Sequence, residues 1–198
     1  MKKSPRLPFR ILAIDPGIRE MGIAVFDDEK LIHHGVLCLR DRRSPKDIRV
    51  YDRGLLRTII ADYHPDLVAL ERTMIGNAGN SEALNRVSAY IRRLCRRQGI
   101  PIRVLAASTV KKHLTGDGRA GKMAVARAVA RRYPELRAYL RQKAKWRVRF
   151  QANRFDAVGL GIAARDLDLP PGRQTTMSHR ATHGSCCRGA STDTQVPQ

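Results

Sequence analysis

The sequence predicts an α/β fold in which helices flank a mixed five-stranded sheet. Three short apolar runs near the amino terminus are joined by tight turns, which is typical of a strand meander. Two further apolar runs each follow a segment with helical periodicity, which is typical of crossover connections. The length of 198 residues suits one domain with a sizeable core.

The first three predicted strands form the meander. They span residues 9–15, 21–27 and 30–38, and the turns between them are Pro16-Gly17 and Asp27-Asp28-Glu29. Links this short join neighbouring antiparallel strands.

The remaining elements alternate between helices and strands. Ser44 reads as a helix cap and Pro45 as the first helical residue, and apolar residues then recur at helical spacing up to Tyr63. The later elements are strand 66–71, helix 81–98, strand 102–106, and helices 108–113, 121–133 and 154–167. A meander followed by two crossover strands is the order of the ribonuclease H-like fold. Residues 170–198 are rich in Ser, Thr and Gly with few aliphatics, which predicts a disordered tail after a domain of residues 1–169.

The net charge of +20 is unevenly distributed along the chain. Residues 86–150 hold 19 Lys or Arg against two acids, Asp117 and Glu135. Such concentration indicates a polyanionic partner, and nucleic acid is the usual one. A basic surface without a partner is the alternative. The predicted DNA contacts within this basic stretch are Arg86, Arg92, Arg93 and Arg119.

Composition argues against several other classes. None of the four cysteines forms a Cys-x-x-Cys pair, which disfavours a zinc site. The basic start leads to an apolar run that Asp15 interrupts, so a signal peptide is not predicted. No stretch is long enough to span a membrane. A cytoplasmic protein is therefore predicted.

Asp15 ends the first apolar run and belongs to the pattern Asp-x-Gly-x4-Gly, completed by Gly17 and Gly22. Metal-dependent nucleases of ribonuclease H type share this pattern with the phosphate clamp of sugar kinases and actin-like ATPases. The ATPase fold duplicates this core, and 198 residues cannot hold two copies and a nucleotide cleft. The nuclease interpretation is therefore favoured.

Two more acids accompany Asp15. Glu71 closes an apolar strand, and Asp156 lies near the start of the last helix, three residues after Asn153. Individually these acids could be a turn former or a helix-terminal charge. Together they would repel one another unless a divalent cation neutralised them, and Mg²⁺ prefers such oxygen ligands.

Five short motifs carry a resemblance to a known family. They are Asp15-Pro16-Gly17 with Gly22, Glu71 after its strand, Val110-Lys111, Gly116-x-Gly118-x3-Lys122, and Asp156-Ala157. In order and spacing they resemble the RuvC family of bacterial Holliday-junction resolvases, in register from about residue 10 to 167. The resemblance implies a nuclease domain over residues 1–169. It also implies Asp15, Glu71 and Asp156 as Mg²⁺ ligands, with Lys111 and Lys122 near the scissile phosphate.

Two positions depart from the family pattern. The family usually has an acid where this chain has Asn153, whose amide oxygen could still ligate a hard cation without charge. It also tends to carry a base-stacking aromatic where this chain has Met74. The resemblance therefore implies Met74, with Asn77 in the same loop, as further DNA contacts.

The predicted function is a Mg²⁺-dependent endonuclease, with Mn²⁺ as a substitute, that nicks four-way DNA junctions as a homodimer. Whether a branch-migration helicase is a further partner is left open by the sequence. The alternatives are a related nuclease acting on flaps or RNA, and a non-catalytic junction-binding protein.

Overall fold

The computed structural model describes residues 7–38, 45–73, 79–140 and 145–168. The predictions for Met74, Asn77, the Ser44 cap and the tail at 170–198 therefore fall outside the described residues. The strands are β1 Arg10–Asp15, β2 Glu20–Asp27, β3 Lys30–Cys38, β4 Leu67–Glu71 and β5 Ile102–Leu105. The helices are α1 Pro45–Tyr63, α2 Gly79–Arg97, α3 Ala107–Thr115, α4 Lys122–Arg132, α5 Arg137–Leu140 and α6 Lys145–Asp168, with a 3₁₀ turn at Pro134–Leu136.

The five strands form one mixed sheet in the order β3-β2-β1-β4-β5. The β1–β2 and β2–β3 pairs are antiparallel, whereas β1–β4 and β4–β5 are parallel. The predicted meander followed by two crossover strands is therefore confirmed. Because β1 and β4 are parallel neighbours, their carboxyl ends meet at the same edge of the sheet.

Two apolar layers cover the sheet, and strand alternation assigns each side chain to one of them. On β1, Leu12 and Ile14 pack with α1 and α2, whereas Ile11 and Ala13 pack with α3, α4 and α6. Continuing this alternation places Asp15 on the face that α6 covers. The same period places Glu71, which follows Leu67 and Ala69 on β4, on that face.

Helix α6 is longer than predicted, since it begins at Lys145 rather than near residue 154. Two glycines let it approach the sheet. A Cβ on Gly22 of β2 would lie 2.0 Å from the backbone oxygen of Asn153, and one on Gly161 would lie 2.1 Å from Phe26 Cε2. Gly159, two residues earlier in α6, faces Leu114 of α3 instead of the sheet.

The carboxyl-terminal end of α6 is held by Asp166, whose carboxylate contacts side chains from three helices. Arg132 Nη1 of α4 donates to its Oδ2 at 2.8 Å, and His113 Nε2 of α3 lies 2.9 Å from the same oxygen. Arg165 donates to Oδ1 at 2.9 Å. These contacts hold the pKa of Asp166 below its usual value although burial opposes them. Asp166 therefore ties α3, α4 and α6 together at one end.

Substituting Gly161 by Ala should destabilise the fold by about 2 kcal/mol, the usual cost of overpacking a filled core. The added Cβ would overlap the ring of Phe26, which is fully buried. Gly54→Ala in α1 is the matched control, because its Cβ would meet nothing within 4 Å and should add about 0.5–1 kcal/mol of stability. Urea unfolding of both variants measures the difference. Equal effects would contradict the close packing of α6 on β2.

Within the described residues, no helix is both long enough and apolar enough to cross a membrane.

Candidate active site

The carboxyl ends of β1 and β4 open into a cleft of about 610 Å³. Ile14 pairs with Leu70 in the parallel register, so the next residues, Asp15 and Glu71, leave the sheet side by side. Asp156 lines the same cleft from α6. The three acids predicted from separate parts of the sequence therefore meet at one edge of the sheet.

The carboxylates are partly buried and interact through their charges. Burial raises the pKa of Asp15 well above its usual value, and the charges of Glu71 and Asp156 raise it further. Burial, aided by the charge of Asp156, raises the pKa of Glu71 to about 7. Burial also raises the pKa of Asp156. The protein therefore holds these acids where their ionised forms are poorly compensated.

Two lysines supply the cleft with positive charge. Lys122, the first residue of α4, places Nζ 3.5 Å from Asp156 Oδ2, and its side chain is 67% exposed. Lys111 of α3 also lines the cleft. Both lysines lower the pKa values of Glu71 and Asp156, whereas burial raises them. Their attraction is smaller than the burial effect, because the pKa values of all three acids stay raised.

The loop that presents Lys122 is built from glycines. Gly116 ends α3 in the left-handed region at φ 82°, and its N–H bonds to the carbonyl of Lys112. Asp117 then accepts the N–H of Arg119 at 2.8 Å, and α4 begins at Lys122. The predicted Gly116-x-Gly118-x3-Lys122 motif is therefore a helix end followed by a turn that returns to the cleft.

Asn153 lines the cleft one helical turn before Asp156, as its spacing predicts. Its Nδ2 lies 3.5 Å from Glu20 Oε2, and Glu20 also lines the cleft. Glu20 was not among the predicted site residues, since it begins a strand rather than ending one. The register of β1 with β2, which pairs Asp15 with Gly22, reveals its position, because Glu20 precedes Gly22 by one strand period on the same face.

The donor set fits a hard divalent cation. Carboxylate oxygens from three elements and an amide oxygen from Asn153 share one cleft. Within the described ranges, no three Asp, Glu, His or Cys side chains lie close enough together to enclose a metal ion. The acids thus influence one another across the cleft without forming a closed ligand group.

The predicted DNA contacts lie at different distances from the cleft. Arg86 is exposed on α2 near Leu84, which lines the cleft, and it forms an ion pair with Glu82. Arg92 and Arg93 are exposed two turns further along the same helix. Arg119 is exposed in the loop before Lys122. Met74 and Asn77 belong to a segment that the structure does not describe.

Comparisons with known proteins agree with this architecture. The family model "Crossover junction endodeoxyribonuclease RuvC" matches residues 11–141. A RuvC of Thermobifida fusca is 33% identical over 129 residues, which cover 62% of this chain and 70% of the relative. A RuvC of Myxococcus xanthus is 33% identical over 141 residues, covering 68% and 73%.

Solved structures show the same fold. Thermus thermophilus RuvC matches with a TM-score of 0.63 at 19% identity, covering 80% of this chain and 95% of that one. The same protein in complex with a Holliday junction substrate also scores 0.63. The yeast mitochondrial Holliday junction resolvase Ydc2 scores 0.53 at 13% identity, covering 82% and 84%. The predicted ribonuclease H-like fold is thereby confirmed, and by the match over residues 11–141 the chain belongs to the RuvC family of crossover junction endodeoxyribonucleases.

Proposed function

We infer that this chain is an endonuclease that resolves Holliday junctions, with Mg²⁺ as the metal and Mn²⁺ as its substitute. The observation that carries this inference is the convergence of Asp15, Glu71 and Asp156 in one cleft with Lys111 and Lys122. Family membership supports the reaction, and the oxygen donors support a hard cation. The residues that would hold it are the three acids, with Asn153 contributing an amide oxygen.

Each side chain has a distinct role in this reaction. The bound cations would orient a water for attack on the phosphodiester and neutralise charge on the leaving oxygen. Asp15 and Glu71 would hold the cations from the sheet, and Asp156 would hold them from α6. Lys122 is exposed at the cleft mouth and can reach a DNA phosphate, where its ammonium stabilises the negative charge that develops during cleavage. Lys111, which is less exposed than Lys122, offsets part of the negative charge of Glu71.

The substrate proposal rests on charge and on the relatives. Residues 86–150 carry 19 basic side chains against two acids, which suits binding to several phosphates at once. The Thermus thermophilus relative is known in complex with a Holliday junction. Resolution needs two equivalent cuts, and a homodimer supplies two equivalent sites. We propose that this dimer acts in the cytoplasm and that a branch-migration helicase is a further partner.

The direct test is cleavage of a synthetic four-way junction with and without Mg²⁺. Paired symmetric nicks that require the metal are expected. Flap, linear duplex and RNA–DNA hybrid substrates of equal length serve as controls. Faster cleavage of a flap or hybrid than of the junction would favour another ribonuclease H-like nuclease. Tight junction binding without cleavage in either Mg²⁺ or Mn²⁺ would indicate a binding protein.

Junction affinity should fall steeply with salt, because each neutralised phosphate releases a counterion and contributes a slope of about −0.9. Reversing the charges of Arg92 and Arg93 on α2 should flatten that slope by roughly one to two units. Reversing Lys30 and Arg57, which are also exposed, changes the net charge equally and should alter the slope less. The two slopes are measured from apparent dissociation constants of cleavage-deficient protein over a series of salt concentrations. Equal slopes would show that α2 does not contact DNA.

A further inference from the structure

We propose that Glu20 is a functional acid of this site, acting with Asn153 as a unit that presents one negative charge to the cation from the β2 side of the cleft. The proposal deepens the function proposed above and rests on it. Nothing in the motif pattern singles out Glu20, and the argument depends on its position and its contact.

Strand geometry places Glu20 at the catalytic edge. Sheet order puts β2, β1 and β4 side by side, with Asp15 and Glu71 at the carboxyl ends of the two parallel strands. The antiparallel neighbour β2 begins at Glu20, so its amino end reaches the same edge. Asp15 pairs with Gly22, and Glu20 shares the face of Gly22 two residues earlier. Three adjacent strands thus each bring an acid to one edge and one face.

The approach of α6 places Asn153 against Glu20. Gly22 has no side chain, and the helix backbone at Asn153 fills the space that a Cβ would occupy. The Asn153 side chain then lies within 3.5 Å of Glu20 Oε2 through its Nδ2. A carboxylate accepts hydrogen bonds and repels an amide oxygen, so Glu20 requires the NH₂ group of Asn153 to face it. The amide oxygen is therefore directed away from Glu20 and is available to the cleft.

Charge explains why such a unit is useful. An amide can coordinate a hard cation but adds no negative charge. Lys122, 3.5 Å from Asp156, already offsets part of the charge that α6 brings. The Glu20 carboxylate restores a negative charge on the side where α6 offers only an amide. Glu20 is thus a positioning residue for Asn153 and an electrostatic partner of the cation.

The test measures Mn²⁺ binding to the full chain without DNA. Calorimetry gives the affinity, and the shift in unfolding temperature gives a second readout. Glu20→Gln keeps the size and a hydrogen-bond acceptor for Asn153 but removes the charge. It should weaken Mn²⁺ binding about tenfold, as loss of a residue that orients a metal ligand commonly does. Glu29→Gln is the matched control, since it removes an exposed carboxylate in the turn at the opposite end of β2.

A rescue variant makes the test specific. Asn153→Asp in the Glu20→Gln background should return Mn²⁺ affinity to near the wild-type value, because it puts the charge back on α6. In the wild-type background the same change sets two carboxylates against each other, so its gain should be smaller. If the Glu20→Gln protein does not fold, Glu20→Ala takes its place and should weaken Mn²⁺ binding by a similar factor.

The outcomes separate the two proposals. If Asp15→Asn loses Mn²⁺ binding while Glu20→Gln binds Mn²⁺ as well as Glu29→Gln does, the role of Glu20 is overturned. The proposed metal site then stays in place. Equal gains from Asn153→Asp in both backgrounds also overturn it. Mn²⁺ binding that is unchanged in Asp15→Asn contradicts the proposed metal site and, with it, the role of Glu20.

Discussion

Asp15→Asn should lower junction cleavage in Mg²⁺ about a thousandfold while junction binding is retained. Metal stabilisation of the transition state is worth several kcal/mol, and each 1.36 kcal/mol is a factor of ten in rate. Asn keeps the size of the side chain but removes the charge that interacts with both Glu71 and Asp156. Binding should persist or tighten, since one negative charge fewer faces the phosphates.

Single-turnover cleavage rates and gel-shift affinities on the same junction measure both effects. Glu71→Gln and Asp156→Asn should behave alike, because each removes a carboxylate from the same cleft. Asp62→Asn is the control, since Asp62 is exposed on α1. A near wild-type rate for any of the three cleft variants would remove that residue from the proposed ligand set.

Without metal, Glu71→Gln should be more stable than the wild type at neutral and higher pH. The pKa of Glu71 is raised from 4.5 to about 7 by burial and by Asp156, so the folded state holds this proton more tightly than the unfolded chain. The stability that Glu71 contributes is therefore fully present below the unfolded pKa of 4.5 and is lost as the pH rises to about 7. At 1.36 kcal/mol for each pKa unit, the loss is about 3 kcal/mol.

Urea unfolding in EDTA from pH 4.5 to about 8 should show the wild type losing stability relative to Glu71→Gln over this window. Repeating the series with Mg²⁺ should shrink the difference or reverse it, since the cation favours the ionised acid in the folded state. A difference that does not change with pH would show that Glu71 titrates normally.

The periodicity of the apolar residues was sufficient to predict the sheet. Continuous apolar runs at β1 and β4 and helical spacing after Pro45 identify the strands and helices, and the order of elements then determines the topology. The acids at strand ends were predictable for the same reason, since a carboxylate closing a buried strand has few structural explanations. The start of α6 was misplaced because its first turns are rich in charged residues and show no clear apolar stripe.

Glu20 could not be recognised from local pattern. An acid after a turn and before a strand resembles any surface residue, and its meaning depends on register with β1 and on the position of α6. The sequence also does not show that Gly159 packs against α3, because the spacing of residues does not reveal whether a helix face contacts a helix or the sheet.

Asp166 ties together the three helices that carry Lys111, Lys122 and Asp156. Asp166 lies ten residues beyond Asp156, about 15 Å along α6, at the end away from the cleft. These contacts join the three helices to one another, so α3, α4 and α6 should move as one body. The two ammonium groups and the Asp156 carboxylate would then keep their mutual spacing when the cleft adjusts to a bulky branched substrate.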